Sequence, residues 1–262
     1  MLSYQHLYHA GNAADVHKHA LLAWILAYLT QKPKPFTYIE SHAGRGLYDL
    51  DAPEAVKTGE AAQGIERLGA EFPTDHPFAL ALAAVRSKHG ASAYPGSPML
   101  AASLLREIDT IHLAERHPGE FEALAEVMLP YAARVHKVDG FAKTHELTPP
   151  TPRRGMLLVD PSYEIASDYT EMAKFIATIA RKWNVGVIAL WYPILADARH
   201  ADMVADLQSA HPEALRHEVR FPPAREGHRM IGSGLFVINP PWGLSAEAKR
   251  LDAIFANLRE RG

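Results

Sequence analysis

Apolar runs of strand length alternate along the chain with longer segments in which apolar residues recur at helical spacing. Helical periodicity predicts six long helices, over Ala13–Thr30, Pro98–Arg106, Gly119–Leu129, Tyr169–Trp183, Asp197–Ser209 and Ala246–Arg259. Apolar runs predict seven strands, over Phe36–Ser41, Thr110–Glu115, Arg134–Val138, Met156–Val159, Val185–Tyr192, Arg216–Phe221 and Gly234–Asn239. This alternation is typical of an α/β protein with a mainly parallel sheet. The first helix should be amphipathic, because Val16, Ala20, Ala23, Trp24 and Ala27 share one face.

One stretch, between the first and second strands, is too long for a simple crossover. Residues 60–69 and 77–88 within it have helical patterns. We therefore predict an inserted helical subdomain over residues 50–93, with residues 1–49 and 94–262 forming the main domain. The insertion should lie on the carboxyl side of the sheet, where such folds bind their ligands.

Composition excludes several classes of protein. The 262-residue chain has no cysteine, so disulfides, zinc–thiolate sites and thiol nucleophiles are ruled out. The strongest apolar run, Ala20–Leu29, is about half of the ~20 residues that a membrane span needs. The N-terminal residues do not have the pattern of a secretory signal. A net charge of −3 argues against a general polyanion binder but permits a local basic surface. We expect a cytoplasmic protein that does not bind membranes.

The most informative segment is Asp160-Pro161-Ser162-Tyr163, which follows a buried strand. Ligands of open α/β sheets bind at such carboxyl ends. The Asp160 carboxylate and the Pro161 carbonyl can accept two hydrogen bonds from an exocyclic amine, and the Tyr163 ring can stack on a flat base. Asp160 can also take up the proton that the amine loses when it attacks an electrophile. The alternative is an acidic helix cap followed by a turn proline.

Three further strand ends carry candidate ligand-binding groups. After the first strand, His42 precedes Gly44, and a glycine allows the backbone to approach a ligand closely. Glu115 ends the second strand, where an acid often binds the ribose hydroxyls of an adenosine cofactor. Asp139 and Gly140 follow the third strand and could bind the adenine amino group. Each feature alone could be an ordinary turn or surface acid. The prediction of a site for an adenosine cofactor therefore depends on their occurring together.

A second polar-Pro-Pro-aromatic segment, Asn239-Pro240-Pro241-Trp242, competes with the first. It follows the last strand of a terminal hairpin. If that strand is antiparallel, its carboxyl end points to the opposite edge of the sheet. We therefore predict a structural role for Asn239 to Trp242.

The sequence resembles a known family in several blocks that occur in one order. They are Met1-Leu2-Ser3-Tyr4, His9-Ala10-Gly11-Asn12, Lys18-His19, His42-Ala43-Gly44, Tyr94-Pro95-Gly96-Ser97-Pro98, Glu115, Asp139-Gly140-Phe141, Arg153-Arg154-Gly155, Asp160-Pro161 and Leu190-Trp191-Tyr192-Pro193. On these blocks the chain resembles the RlmJ family of bacterial 23S rRNA (adenine-N6)-methyltransferases.

That resemblance implies a Rossmann-like methyltransferase fold with a small helical insertion, which uses S-adenosyl-L-methionine as cofactor and 23S rRNA as substrate. It implies cofactor contacts for His19, His42, Ser97, Glu115, Asp139, Gly140 and Asp160. Asp160 is then the catalytic acceptor, assisted by Pro161 and Tyr163, and Tyr4 and Lys18 contact the RNA. We expect a monomer that needs no metal ion.

One position departs from the family's acid-Pro-Pro-aromatic pattern, because Ser162 stands where a second proline is usual. Proline stiffens a turn, so Ser162 puts the efficiency of catalysis in doubt more than the type of reaction. A binding protein without catalytic activity therefore stays an alternative. A methyltransferase acting on cytosine N4 or on a protein glutamine amide is another, because these groups suit the same acid-Pro turn.

Fifteen histidines also raise the alternative of a metal-dependent hydrolase, with His17, His19, His42 and Asp160 as ligands. Helical spacing disfavours it, because residues two apart on a helix point away from each other. Basic residues cluster in residues 1–45, in residues 214–234 and at Arg153-Arg154. Such clusters can contact RNA phosphates despite the negative net charge.

Overall fold

Helices and strands alternate through nearly the whole chain, as the hydrophobic pattern predicts. The computed structural model describes residues 5–164, 167–224, 227 and 229–260, of which 259 and 260 are described by their backbone alone. The helices are α1 (Ala13–Thr30), α2 (Pro53–Thr58), α3 (Glu60–Gln63), α4 (Ile65–Leu68), α5 (Pro77–His89), α6 (Ser97–Leu104), α7 (Pro118–Met128), α8 (Gly140–Leu147), α9 (Ser167–Lys182), α10 (Ala201–Ala210) and α11 (Leu244–Glu260). The strands are β1 (Thr37–Glu40), β2 (Leu47–Asp49), β3 (Ala93–Pro95), β4 (Thr110–Ala114), β5 (Ala133–His136), β6 (Gly155–Val159), β7 (Val187–Leu195), β8 (Leu215–Arg220) and β9 (Met230–Ile238).

The main sheet has seven strands in the order β5-β4-β1-β6-β7-β9-β8. Its first five strands are parallel, and β9 runs antiparallel to both β7 and β8. Because β1 is central and the chain passes outward from it in both directions, the carboxyl ends of β1, β4 and β6 meet at one crevice. The predicted α/β, Rossmann-like fold is confirmed.

Helix α1 is correctly placed, but its expected amphipathic character is wrong. Residues 13–23 are all buried, including charged and imidazole side chains. The helix packs against α5, α6, α11 and β9, so apolar neighbours surround it on several sides. Partners among the described residues satisfy its buried polar groups, except for His19 Nε2, as described below. A helix of this kind cannot be recognised from an apolar stripe.

The region between β1 and β4 holds a small antiparallel pair that the hydrophobic pattern did not predict. Strands β2 and β3 pair from Leu47↔Pro95 to Asp49↔Ala93, and α2 to α5 lie between them in the chain. Side chains of this region, including Ile65 and Phe78, join the same hydrophobic core as α1. The domain boundaries at residues 50 and 93 stay a prediction.

Three element boundaries differ from expectation near the carboxyl edge of the sheet. Strand β7 continues to Leu195 and β9 begins at Met230, so both extend further than predicted. Helix α10 begins at Ala201 rather than at Asp197. Within the described residues, no helix is both long and apolar enough to span a membrane.

Candidate active site

One cavity of about 570 Å³ opens at the carboxyl edge of the parallel strands. The predicted site residues that line it are Lys18, His19, His42, Ser97, Glu115, Asp139, Gly140, Asp160, Pro161 and Tyr163. These residues come from α1, from β1 and α6, and from the ends of β4, β5 and β6. The residues that the sequence predicted for the site therefore line one cavity. Their individual roles stay predictions. Two residues with a predicted RNA contact lie outside the described residues: Tyr4, and Arg225 of the basic cluster at residues 214–234.

A buried ion-pair cluster joins α1 to the end of β6. Lys18 Nζ donates to Asp160 Oδ2 at 2.6 Å and lies 3.1 Å from Asp15 Oδ1. Burial alone would lower the pKa of Lys18, but Asp160 and Asp15 raise it above its ordinary value. Burial alone would raise the pKa of Asp15, but His6 and Lys18 hold it well below its usual range. Lys18 is therefore an ammonium ion throughout the neutral range.

The turn after Asp160 is held by contacts with β7. Tyr163 has a left-handed backbone conformation (φ 51°), and its hydroxyl donates to the Trp191 carbonyl at 2.9 Å. Its ring packs on Tyr169 with centroids 4.6 Å apart. The Tyr163 side chain is buried, whereas Ser162 is exposed. The ring thus forms part of the cavity wall, and its stacking on a substrate base stays a prediction.

The Glu115 carboxylate is ordered by backbone donors before any ligand binds. Oε2 accepts from the Gly44 amide at 2.8 Å, and Oε1 accepts from the His117 amide at 2.6 Å. Burial raises the pKa of Glu115 by more than these hydrogen bonds lower it. Each oxygen keeps a second lone pair, so the group can still accept from ribose hydroxyls.

Backbone of α8 approaches β1 closely enough to require a glycine. Asp139 caps the helix through a 3.0 Å bond from the Ala142 amide to its Oδ1. A Cβ atom added to Gly140 would stand 1.7 Å from the Ser41 carbonyl oxygen. The His42 ring packs edge-on against Phe141, and burial lowers the pKa of His42 to about 4. This corner of the cavity is therefore narrow, with a neutral imidazole on one side.

A second buried carboxyl group, Glu40, lies behind the cavity wall and was not predicted. It accepts hydrogen bonds from the Tyr38 hydroxyl at 2.9 Å and from the Ser97 hydroxyl. Burial and the nearby Asp160 charge raise the pKa of Glu40 to about 8. Its only signal in the sequence is an acid inside an otherwise buried strand. Ser97 is thus held by Glu40 at the cavity wall.

His19 carries a buried nitrogen without a protein partner. Its Nδ1 shares a 2.9 Å hydrogen bond with the Tyr94 hydroxyl, whereas Nε2 has no partner within the described part of the chain. Burial lowers the pKa of His19 to about 3, so the ring is neutral.

A hydrogen-bonded chain leads from the cavity wall to the surface and was also missed. Trp191 Nε1 donates to Ser233 Oγ at 2.9 Å, and Ser233 Oγ bonds His17 Nδ1 at 2.8 Å. His17 Nε2 lies 2.9 Å from His217 Nδ1, and His217 Nε2 lies 3.0 Å from Asp252 Oδ1.

One set of protons satisfies this whole chain if both imidazoles are neutral. The Asp252 carboxylate only accepts, so His217 donates from Nε2 and accepts at Nδ1, and His17 does the same. Ser233 then donates to His17 and accepts from Trp191. Trp191 in turn lies under the Lys18 ammonium, whose nitrogen is 5.4 Å from the ring centroid. The exposed Asp252 is therefore linked to the Lys18–Asp160 pair.

The metal-site alternative has no assembled ligand set. Across the described ranges, no group of three or more histidine, aspartate and glutamate residues is placed to hold a metal ion. His17 bonds Ser233 and His217, whereas His19 bonds Tyr94 on another side of α1.

The competing Asn239-to-Trp242 segment lies at the opposite edge of the sheet, because β9 is antiparallel to β7. The Asn239 side-chain amide donates to the carbonyls of Asn184 and Gly186, which secures the entry to β7. The Trp242 side chain is 85% exposed. The segment has the structural role that was predicted.

Comparison with known proteins agrees with this geometry. The family model described as ribosomal RNA large subunit methyltransferase D, RlmJ, matches residues 33–260. The chain is 39% identical over 254 residues to ribosomal RNA large subunit methyltransferase J of Escherichia coli K12, covering 94% of this chain and 90% of that protein. It is 35% identical over 257 residues to the protein of the same name from Haemophilus influenzae, covering 96% and 92%.

A solved structure of a Legionella pneumophila protein superposes with a TM-score of 0.87 and 32% identity, covering 97% of this chain and 95% of that one. The family model and both named relatives extend over nearly the whole chain, cavity-lining strand ends included. The chain therefore belongs to the RlmJ family of ribosomal RNA large subunit methyltransferases.

Proposed function

We propose that this protein transfers the methyl group of S-adenosyl-L-methionine to the N6 amine of an adenine in 23S rRNA. The observation that carries the proposal is the Lys18–Asp160 ion pair, which lies in a cavity that also contains the ordered Glu115 carboxylate. The first part of the cavity, around Glu115, suits a nucleoside cofactor. The second part, around Asp160, presents a hydrogen-bond acceptor to an amine.

The residues of the first part fit the cofactor. A cavity of about 570 Å³ is within the range of roughly 300–1,000 Å³ that small-molecule sites occupy. Glu115 can accept from ribose hydroxyls, and Asp139 and Gly140 line the same cavity, where they can contact the adenine. The unpartnered His19 Nε2 offers a further polar contact at the wall. The bound cofactor supplies an electrophilic methyl group on a sulfonium centre.

The residues of the second part orient and deprotonate the amine. Lys18 occupies Asp160 Oδ2, which leaves Oδ1 to accept one amine hydrogen while the Pro161 carbonyl accepts the other. When the amine gains the methyl group and the methyl–sulfur bond breaks to release a neutral thioether, the nitrogen would be cationic, and the Asp160 carboxylate would accept its proton. Lys18 remains protonated, so it stabilises the carboxylate and does not act as the base. Alignment of the two reactants supplies most of the rate.

Base-modifying enzymes unstack their target, so the adenine must leave the RNA stack to reach Asp160. Trp191 and Pro193 on β7, together with Tyr163, form apolar walls for such a base. The proposal includes a monomeric enzyme, because one chain provides both parts of the cavity. It also places the enzyme in the cytoplasm, with its rRNA substrate. It also includes a reaction without metal, because an activated sulfonium needs no Lewis acid.

Methylation of 23S rRNA fragments with isotope-labelled cofactor, followed by nucleoside mass mapping, tests the proposal. We expect N6-methyladenosine at one position with the wild-type protein. Asp160→Ala should abolish methyl transfer. It leaves the buried Lys18 with Asp15 as its remaining carboxylate partner, so we expect a lower thermal stability than wild type but still one cooperative unfolding transition. Methylcytidine, methylated protein, or an active Asp160→Ala variant would contradict the proposal.

A further inference from the structure

Two strands of the main sheet continue beyond the carboxyl edge that the parallel strands define. Strand β6 last pairs with β7 at Val159↔Leu190. Beyond that point β7 continues through Trp191–Leu195, paired with β9 back to Met230. Five residues of extended chain rise about 16 Å at roughly 3.3 Å per residue. We call Trp191–Leu195 and its partner Met230–Leu235 the ribbon.

The inner face of the ribbon is apolar. Trp191, Pro193 and Leu195 line the cavity, as does Met230 from the opposite strand. The first three are alternate residues, so they share one face of the strand. A flat, uncharged base can therefore lie against this wall without losing hydrogen bonds.

The floor beside the ribbon is acidic. Asp15, Asp160, Glu164 and Asp168 line the same cavity, with Lys18 bound between the first two. An exocyclic amine is favoured in such surroundings, whereas a phosphate group is repelled. The nucleic-acid backbone must therefore be held outside the cavity while the base enters.

The outer end of the ribbon carries two arginines on one carboxylate. Arg199 Nε lies 3.0 Å from Asp197 Oδ2, and Arg229 Nη2 lies 2.7 Å from the same oxygen. The Ala196 amide donates to the Arg229 carbonyl, directly after the Leu195↔Met230 pair. The Arg229 side chain is 64% exposed. Each guanidinium has five N–H donors, so each keeps free donors after binding Asp197.

This arrangement preorganises a phosphate site. Two guanidinium groups share one negative charge, which leaves a net positive charge at the ribbon end. Asp197 limits the rotamers of both side chains, so less conformational entropy is lost when they bind an anion. Planar guanidinium groups bind phosphate oxygens in pairs.

The two arginines lie within electrostatic reach of the active-site turn. Tyr169 packs on Tyr163 with ring centroids 4.6 Å apart. Burial raises the pKa of Tyr169 to about 12, and the charges of Arg199 and Arg229 oppose this rise. Leu195 and Met230, which pair at the ribbon end, both line the cavity, so Asp197 and Arg229 lie within two residues of its wall.

We propose that Arg199 and Arg229 bind a backbone phosphate of the RNA strand next to the extruded nucleotide, while the ribbon's apolar face guides the base into the cavity. This inference rests on the proposed function and deepens it. It names a specific RNA-binding surface on an enzyme whose net charge is −3.

Anisotropy of fluorescein-labelled 23S rRNA fragments, without cofactor, measures the effect on binding. We expect Arg199→Ala and Arg229→Ala each to weaken binding about tenfold, the effect of losing one charge-assisted contact. The double variant should also reduce the slope of log K against log salt by about 0.7 to 0.9. Saturating RNA should restore the wild-type kcat. Arg250→Ala, which removes a carboxylate-bound arginine on α11, outside the basic clusters, is the matched control and should bind as wild type.

Asp197→Ala separates phosphate binding from a structural latch. If the arginines serve only to hold residues 196–199 to the ribbon, Asp197→Ala should weaken RNA binding as much as the two arginine substitutions do. If they bind phosphate, Asp197→Ala adds a net positive charge and should retain or strengthen binding. An unchanged Kd in the double arginine variant, or equal losses in all variants, would overturn the inference. Because binding is measured without methyl transfer, a wild-type protein that binds RNA but does not methylate adenine would refute only the proposed function.

Discussion

Replacing Lys18 with methionine tests the role of the buried ion pair most directly. The Lys18 side chain is 5% exposed and has two acidic partners, Asp160 at 2.6 Å and Asp15 at 3.1 Å. At an effective dielectric constant of about 20, these distances correspond to roughly 6 and 5 kcal/mol of gross attraction. Desolvation offsets much of that. Removing one partner of a buried pair costs about 3–5 kcal/mol, because the remaining charge is left without compensation. We therefore expect Lys18→Met to lower the free energy of unfolding by about 3 kcal/mol at pH 7.

The stability difference between Lys18→Met and wild type should depend on pH in a direction set by the pKa of Asp15. In the wild type the pKa of Asp15 is lowered, so its stabilising effect is present above the unfolded pKa and is lost as pH falls through the folded pKa. In Lys18→Met, Asp15 keeps His6 but loses the attraction of Lys18, so its pKa is lowered less and it takes up a proton more readily. The variant therefore recovers stability as pH falls, and the difference from wild type should shrink in acid.

Urea denaturation at pH 7 and at about pH 4.5 measures both effects. The control is Lys143→Met, which removes a lysine whose partner Glu146 is largely exposed and should cost about 0.5 kcal/mol or less. A loss below about 1 kcal/mol for Lys18→Met, or one that is equal at both pH values, would refute the reasoning.

Three further substitutions test other parts of the site. Gly140→Ala should weaken calorimetric cofactor binding at least tenfold and destabilise the fold by about 1–3 kcal/mol, because the new Cβ would stand 1.7 Å from the Ser41 carbonyl oxygen. Glu40→Gln should remove a loss of stability between pH 5 and 8. The pKa of Glu40 is raised to about 8, so in this range the folded wild type keeps a proton that the unfolded chain releases, and stability falls by about 1.4 kcal/mol per pH unit as pH rises. Asp252→Ala should lower kcat about fivefold with unchanged KM for the cofactor, because His217 loses the acceptor that sets its tautomer.

Two of these substitutions have a matched comparison variant, and the third has a clear contrary outcome. Gly119→Ala, on the first turn of α7, meets no atom closer than 3.6 Å and should retain the stability and cofactor affinity of wild type. The Asp252→Asn side chain still accepts a hydrogen bond from His217, so this variant should have the wild-type rate. If Asp252→Ala also has the wild-type rate, the hydrogen-bonded chain from Asp252 to Trp191 does not position the site. Denaturation curves of Glu40→Gln that keep the wild-type pH slope would assign that slope to another group.

The sequence by itself determined the fold class, most strands and helices, and the residues that line the cavity. The reason is geometric: carboxyl ends of parallel strands share one edge, so Glu115, Asp139 and Asp160 had to meet once their strands were recognised. It also separated Asp160-Pro161 from the similar Asn239-Pro240 segment, because a terminal hairpin reverses the last strand.

Only the tertiary structure decided which polar residues satisfy one another. His17 and Ser233 are 216 positions apart, and Lys18 and Asp160 are 142 apart, so no local pattern relates either pair. Helix α1 could be buried on several sides because those distant partners compensate its charges. The extension of β7 and β9 beyond the sheet edge was equally invisible, since it depends on the pairing of two strands with each other. The contacts that orient the Asp160 carboxylate and those that we propose for the RNA strand are therefore both products of long-range packing.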